Sequence, residues 1–159
     1  MAKMLIVYYS RTGNTAKMAE YVAEGAREIP GVDVEIRPVE EITPATLLDY
    51  DAIVMGSPVY YGTMAAEIKQ LIDESVKFHG RLDGKVCGAF ASSGGPGGGN
   101  ETTVIDILKA LMIHGMIAKG MAMGDHYGPI AVGAPDERSQ DQCRKYGRMV
   151  AELTKKLFG

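Results

Sequence analysis

The chain has 159 residues, 46% of them hydrophobic and 23% charged; this is the composition of one globular domain and excludes intrinsic disorder. A net charge of −3 has the wrong sign for a non-specific nucleic-acid binder, and no Lys/Arg run overrides it. The apolar stretch near the start, Met4–Tyr9, is far short of the roughly 18 residues of a membrane span and lacks the cleavage site of a signal peptide, so the expected location is cytoplasmic.

In chain order, Lys3–Tyr9 reads as a strand buried on both faces. Met18, Val22, Ala26 and Ile29 then step along one face of a helix, which Pro30-Gly31 stops. Val32–Arg37 alternates as a second strand, and Thr43-Pro44 opens a short helix or turn through Leu48. Ala52–Met55 is a third buried strand, ended by Gly56-Ser57-Pro58. Met64, Ile68, Leu71 and Ile72 mark a helix, and Lys85–Ala91 a fourth strand. A Gly-rich loop, Ser92–Asn100, leads to a helix with Val104, Leu108, Leu111 and Met112 facing inward. Met116–Met123 reads as the fifth strand and Gly124–Pro135 as a loop. Cys143, Tyr146, Val150, Leu153 and Leu157 line a last helix. The methionines at 112, 116, 121 and 123 read as soft core.

Strands joined by helical crossovers give an α/β fold. The expected architecture is a single domain over residues 1–159, a three-layer sandwich with a five-stranded parallel sheet and helices on both faces; of the two common strand layouts for such a chain, 3-2-1-4-5-6 and 2-1-3-4-5, five strands favour the second. Cys87 and Cys143 lack any CxxC or Cys/His spacing and read as buried free thiols, with no metal site.

In such a sheet, ligands bind beyond the carboxyl ends of the strands. Three loops lie there. In the first, Ser10, Thr12 and Thr15 supply hydroxyls, Gly13 lets the backbone curl, and a helix amino end follows; together these make an anion cradle that needs no lysine. The second, Pro58-Val59-Tyr60-Tyr61-Gly62-Thr63, offers tyrosine rings to a flat apolar group. The third holds Ser92, Ser93, Gly94, Gly95, Pro96, Gly97 and Gly98, where glycine lets backbone amides approach a ligand edge. No Gly-x-Ser-x-Gly elbow, P-loop or Gly-x-Gly-x-x-Gly loop exists. The aspartates that a phosphate receiver needs are absent, since strands one and three end in Tyr9-Ser10 and Gly56-Ser57.

Ser10-Arg11-Thr12-Gly13-Asn14-Thr15 after a first strand resembles the phosphate loop of flavodoxins, [Ser/Thr]-x-Thr-Gly-x-Thr. Gly56-Ser57-Pro58, Gly62-Thr63-Met64, the Ser92–Gly99 run and His114-Gly115-Met116 resemble the WrbA-type branch, many of whose members are NAD(P)H:quinone oxidoreductases. The resemblance covers essentially the whole chain. It implies a flavodoxin-like fold and FMN, whose phosphate the first loop holds while the second borders the isoalloxazine and the third meets its pyrimidine edge. His114 takes a flavin-edge role. The chain has no Trp and no aromatic residue in the third loop, so Tyr127 or His126, or another subunit, covers the second flavin face, or that face is open.

The expected function is electron transfer, with NAD(P)H:quinone oxidoreductase as the alternative. In the first case the partner is a redox protein; in the second the chain takes electrons from NAD(P)H and passes them to a small quinone. A homo-oligomer, dimer or tetramer, is the further partner implied, although Thr43–Asp51 leaves little room for the insertion that contributes to tetramer assembly in that branch. The resemblance also implies that a peptide in the second loop contacts flavin N5, which accepts a hydrogen bond when oxidised and donates once protonated. Tyr61-Gly62 is the Xaa-Gly pair there, which makes Gly62 the expected switch, because a flipping peptide needs positive φ in one state.

Overall fold

The computed structural model describes every residue, Met1–Gly159. Its elements are β1 (Ala2–Tyr8), α1 (Asn14–Arg27), β2 (Val32–Pro38), β3 (Ala52–Tyr60), β4 (Thr63–Met64), α2 (Ala66–Glu74), β5 (Val86–Ser93), α3 (Asn100–Ile113), β6 (Ile117–Ala118), β7 (Ile130–Val132) and α4 (Glu137–Phe158). The sheet runs β2-β1-β3-β5, with β6 and β7 end to end along the outer edge of β5. All of these pairs are parallel; the short β4 folds back antiparallel on β3. Counting β6 and β7 as one position, this is the expected order 2-1-3-4-5. No helix is long and apolar enough to cross a membrane.

The central strands are buried along nearly their whole length, as covering both faces of a parallel sheet requires. Alternation sends Met4, Ile6, Val54 and Phe90 into one core with α1 and α4, and Leu5, Val7, Ile53 and Ala89 into the other with α2 and α3. Cys143 lies in the first core and Cys87 in the second, both free and buried. Burial pushes each thiol up to about 12. On α3 the inward stripe is Val104, Ile107 and Leu111. Met112, one residue past that stripe, points outward and is 58% exposed. Met123 is also exposed.

Two expectations at the strand ends are corrected. Gly56-Ser57-Pro58 does not end the third strand; β3 continues to Tyr60. Gly56 is required because the Phe90 ring occupies the space of a Cβ, 2.1 Å away. In a parallel strand Pro58 faces the same neighbour as Gly56, whose carbonyl accepts the Tyr9 N–H of the β1 side. The next bond of that ladder would be an N–H of residue 58 to Tyr9; proline has none, so the β1 pairing stops at Tyr8 opposite Gly56, while Pro58 stays in register with Ser92 of β5 on its other side. The fifth strand is also not continuous. Met116–Met123 yields only Ile117–Ala118, the chain then leaves the sheet, and Ile130–Val132, read from sequence as loop, returns as β7. Between them the edge of β5 is closed by other groups. The Tyr146 hydroxyl accepts the Ala89 N–H at 3.0 Å, and Gly128 lies so near the Ala89 carbonyl that a Cβ would be 2.1 Å from its oxygen.

Tyr146 reaches the sheet because α4 lies close against α1. A Cβ on Gly25 would sit 1.9 Å from the Arg144 carbonyl oxygen, and one on Gly147 would sit 1.9 Å from that of Val22. The helices therefore touch backbone to backbone at two reciprocal points. Glu24–Arg144 at 2.8 Å and Glu28–Arg148 at 2.7 Å flank the contact. Gly147→Ala gains about 1 kcal/mol of helix propensity, so any loss understates the clash. We predict a net destabilisation of about 1–3 kcal/mol from overpacking. It is read as a lower urea midpoint at unchanged m; an unchanged or higher midpoint contradicts the packing.

Candidate functional site

The carboxyl ends of β1, β3 and β5 lie side by side, and the segments that leave them enclose a cavity of about 300 Å³. Ser10, Arg11, Thr12, Asn14 and Thr15 line it after β1; Pro58, Val59 and Tyr60 line it from β3; Ser92, Ser93 and Gly94 line it from β5. Gly133, just past β7, completes the wall.

The first wall is built for an anion. Gly13 takes φ +97° and turns the chain into α1, a conformation open to glycine. Ser10 Oγ accepts the N–H groups of Gly13 (3.1 Å) and Ala16 (3.2 Å), which curls the loop on itself. The amides of Thr12, Asn14 and Thr15 have no acceptor within the chain, although unpaired N–H groups are costly when shielded from water. Thr15 Oγ1 and Ser92 Oγ share a buried 2.8 Å hydrogen bond; one hydrogen serves that bond, so the other is left to donate. The first turns of α2, α3 and α4 each carry a glutamate, whereas that of α1 carries no acidic residue. The positive end of α1 is thus not offset by its own side chains. This donor set fits a phosphate group.

Along the second wall, β3, a two-residue turn and β4 form a hairpin in which Tyr60 pairs with Thr63. Tyr61 (φ +46°) and Gly62 (φ +82°) make the turn, both left-handed, as the tight turns that match strand twist demand. Tyr60 lines the cavity. Its ring meets Tyr9 edge-on at 6.4 Å, and the Arg11 guanidinium lies 4.8 Å above it. Tyr61 points into solvent; Gly62 belongs to the turn and Thr63 to β4, and neither lines the cavity.

In the third wall, Ser92 and Ser93 extend β5 instead of starting the loop. Ser93 Oγ donates to the Gly95 carbonyl at 2.9 Å, and Gly98 N–H donates to the same oxygen at 3.2 Å. Gly95 and Gly98 thus form a turn behind Gly94, and Pro96 and Gly97 border a separate open groove beside Ile130 and Val132.

Three residues that hold these walls are not among the expected site residues. Ser57 Oγ accepts the Ala65 N–H at 2.8 Å and closes the base of the hairpin. Buried Asn100 donates from Nδ2 to Ser93 Oγ at 3.2 Å and accepts the Glu101 N–H at 2.8 Å. Gly133 donates its N–H to the Ser93 carbonyl at 2.8 Å. An asparagine directly after a glycine run is the one signal among these that sequence carries.

Two expected residues lie elsewhere. Tyr127 is half-exposed and lines a small recess with Glu101 and Asp125, because the break in the fifth strand carries it outward. His114 lies at the opposite end of the sheet. The adjoining Gly115 carbonyl accepts the Gly84 N–H at 3.0 Å, just before β5 begins, whereas the cavity lies beyond the end of β5, roughly 25 Å away at strand rise. The reason is topological: α3 starts at the cavity and runs back antiparallel to the strands.

The imidazole of His114 is buried. Ser75 Oγ donates to the Ile72 carbonyl at 2.5 Å and so accepts from His114 Nε2 at 2.8 Å; Nδ1 has no partner. Burial, followed by the neighbouring His79 ring at 5.8 Å, holds its pKa below the ordinary value. The unfolded chain therefore takes up this proton first. Stability is full above about pH 6.5 and falls as pH drops from there toward the folded value. Urea midpoints measured across pH 5–7 should show a shallower acid loss in His114→Asn; an identical slope contradicts this assignment.

The chain matches the family model described as a flavodoxin domain over residues 5–111. It is 41% identical to a flavodoxin of Aquifex aeolicus (strain VF5), over 96% of this chain and 86% of that one. It is 36% identical to an NAD(P)H dehydrogenase (quinone) of Archaeoglobus fulgidus, over 99% of this chain and 100% of that one. Among solved structures it is similar to a WrbA-like flavodoxin from Agrobacterium tumefaciens, with a TM-score of 0.83 and 27% identity over 98% of this chain and 99% of the other. A flavodoxin from the domain Archaea superposes with a TM-score of 0.79 and 27% identity over 96% of this chain and 99% of that one. The matched span takes in all three loops at the carboxyl ends, and the chain belongs to the flavodoxin family of redox proteins, which implies a flavin cofactor.

Proposed function

We propose that the cavity holds FMN and that the protein passes electrons between redox partners. The observation that carries this reading is the set of unpaired amides on the acid-free first turn of α1, sized for one phosphate. Thr12, Asn14 and Thr15 would bind that phosphate. Tyr60, with Arg11 above it, would border the ring system, and the amides leaving β5 would meet the polar edge. The flavin supplies the redox chemistry; the protein sets its position and surroundings. The mild net charge of −3 gives weak long-range steering, so partner choice rests on contacts close to the cavity.

NAD(P)H:quinone oxidoreduction is the second reading, favoured by the dehydrogenase relative, which aligns over its full length. That alignment spans 191 positions against the 159 residues here, so the relative holds segments that this chain lacks. The run Thr43–Asp51 is a single short 3-10 helix, Pro44–Asp49, closed by a Thr43/Thr46 capping box, which leaves little material there for an intersubunit contact. Anaerobic mixing of the flavin-loaded protein with NADH or NADPH separates the two. Electron transfer predicts no bleaching within seconds, and rapid bleaching selects the oxidoreductase.

The cofactor released on denaturation should have the mass of FMN. A thousandfold excess of FMN over its Kd should raise stability by about 4 kcal/mol through mass action. Release of FAD, or no uptake of any flavin on reconstitution, overturns the assignment.

Thr12→Ala with Thr15→Ala should separate phosphate from ring. Each lost hydrogen bond to a charged group costs about 1.5–3 kcal/mol, so FMN affinity should fall at least about a hundredfold. Riboflavin, which lacks the phosphate, should hardly notice. Equal losses for both ligands in calorimetric titration would show that this loop does not hold the phosphate.

A further inference from the structure

The hairpin beside the cavity is anchored twice. Its base is closed by Ser57. Its tip is held by a residue of another element: Thr63 Oγ1 donates to Asp106 Oδ2 on α3 at 2.8 Å. Thr63 stands opposite Tyr60 in the hairpin register, so the bond pins the strand pair where Tyr60 lines the cavity. Between the two lies Tyr61, the single non-glycine residue of the chain with positive φ. Its side chain is fully exposed, so no packing of its own ring holds the backbone in that costly conformation. The constraint comes from the flanks. A Cβ on Gly99 would lie 3.1 Å from Gly62 Cα, so the turn rests directly on the amino end of α3, and seven residues along that helix Asp106 grips it. Lys109 Nζ, 3.2 Å from Asp106 Oδ1, offsets the carboxylate charge, and Asp106 touches no part of the phosphate cradle.

We infer that Asp106 is a positioning residue for the ring side of the cavity: through Thr63 it locks the Tyr61-Gly62 turn against α3 and presents Tyr60 already in place. The phosphate side and the ring side are then built by different helices, α1 for the first and α3 for the second. This rests on the FMN reading for its ligand, but the lock itself belongs to the protein alone.

The test uses Thr63→Val and Asp106→Ala, which remove the bond, with Thr63→Ser and Asp106→Asn, which keep a donor and an acceptor. In the flavin-free protein, amide hydrogen exchange at Tyr60–Met64 should quicken about tenfold in the first two and return toward wild type in the second two. The double variant Thr63→Val/Asp106→Ala should add little to either single change, since both break one bond. Riboflavin affinity should fall about fivefold to tenfold in Thr63→Val and Asp106→Ala, the scale of one solvent-exposed hydrogen bond. The inhibition constant of inorganic phosphate against FMN should stay as in wild type. Unchanged exchange in both disrupting variants, additive losses in the double variant, or an equal loss of phosphate binding overturns the inference. If the protein takes up no flavin, the function proposed above fails, and the exchange measurement still decides whether the lock exists.

Discussion

Helix α1 can aim its amino end at the cavity only because Gly25 and Gly147 let it lie on α4 with no side chain between them. The ion pairs beside that contact are exposed and screened by solvent, so the close backbone approach sets the geometry. The same approach brings Tyr146, the neighbour of Gly147, down to the sheet, where its hydroxyl takes the Ala89 N–H that a continuous fifth strand would have taken. One contact between two helices thereby fixes the direction of the anion cradle and seals a gap in the sheet.

A phosphate held as proposed would need no lysine, because the donors are already fixed within the protein. Ser10 spends its oxygen on shaping the loop, and Thr15 is tied across the sheet to Ser92. The amides they leave free lie at the start of α1, the one α-helix of the four without a carboxylate in its first turn. Had a glutamate stood in that first turn, as it does in the other three helices, its own charge would have satisfied the helix end and weakened the attraction for a phosphate. The ring side follows a different logic. There the groups are a tyrosine, a strained turn and a glycine-rich backbone, all held by hydrogen bonds reaching in from β3 and α3.

Much of this was legible in the sequence. Apolar runs marked the central strands, and the Ser-Arg-Thr-Gly-Asn-Thr loop marked the cradle, because both depend on residues adjacent in the chain. What was hidden depends on neighbours distant in the chain. Pro58 looks like a strand breaker, yet it ends only the pairing with β1, at Tyr8 opposite Gly56, and β3 runs on beside β5. Met116–Met123 looks like one strand, yet the chain leaves the sheet after Ala118, and Tyr146 and Gly128 serve the edge of β5 instead. Asp106 reads as an ordinary exposed helix residue, and its bond to Thr63 spans 43 positions. His114 was misplaced for a reason that sequence could have supplied: a crossover helix that begins at the carboxyl ends of the strands must finish at their amino ends.

Amide chemical-shift mapping during titration with FMN tests the central claim most directly. The account predicts that the largest shifts fall on Thr12–Thr15, Val59–Tyr60 and Ser92–Gly94, three segments far apart in sequence and joined at one cavity. Residues around His114 and Val76, at the far end of the sheet, should not move. Shifts centred on that far end, or confined to one of the three segments, would contradict it.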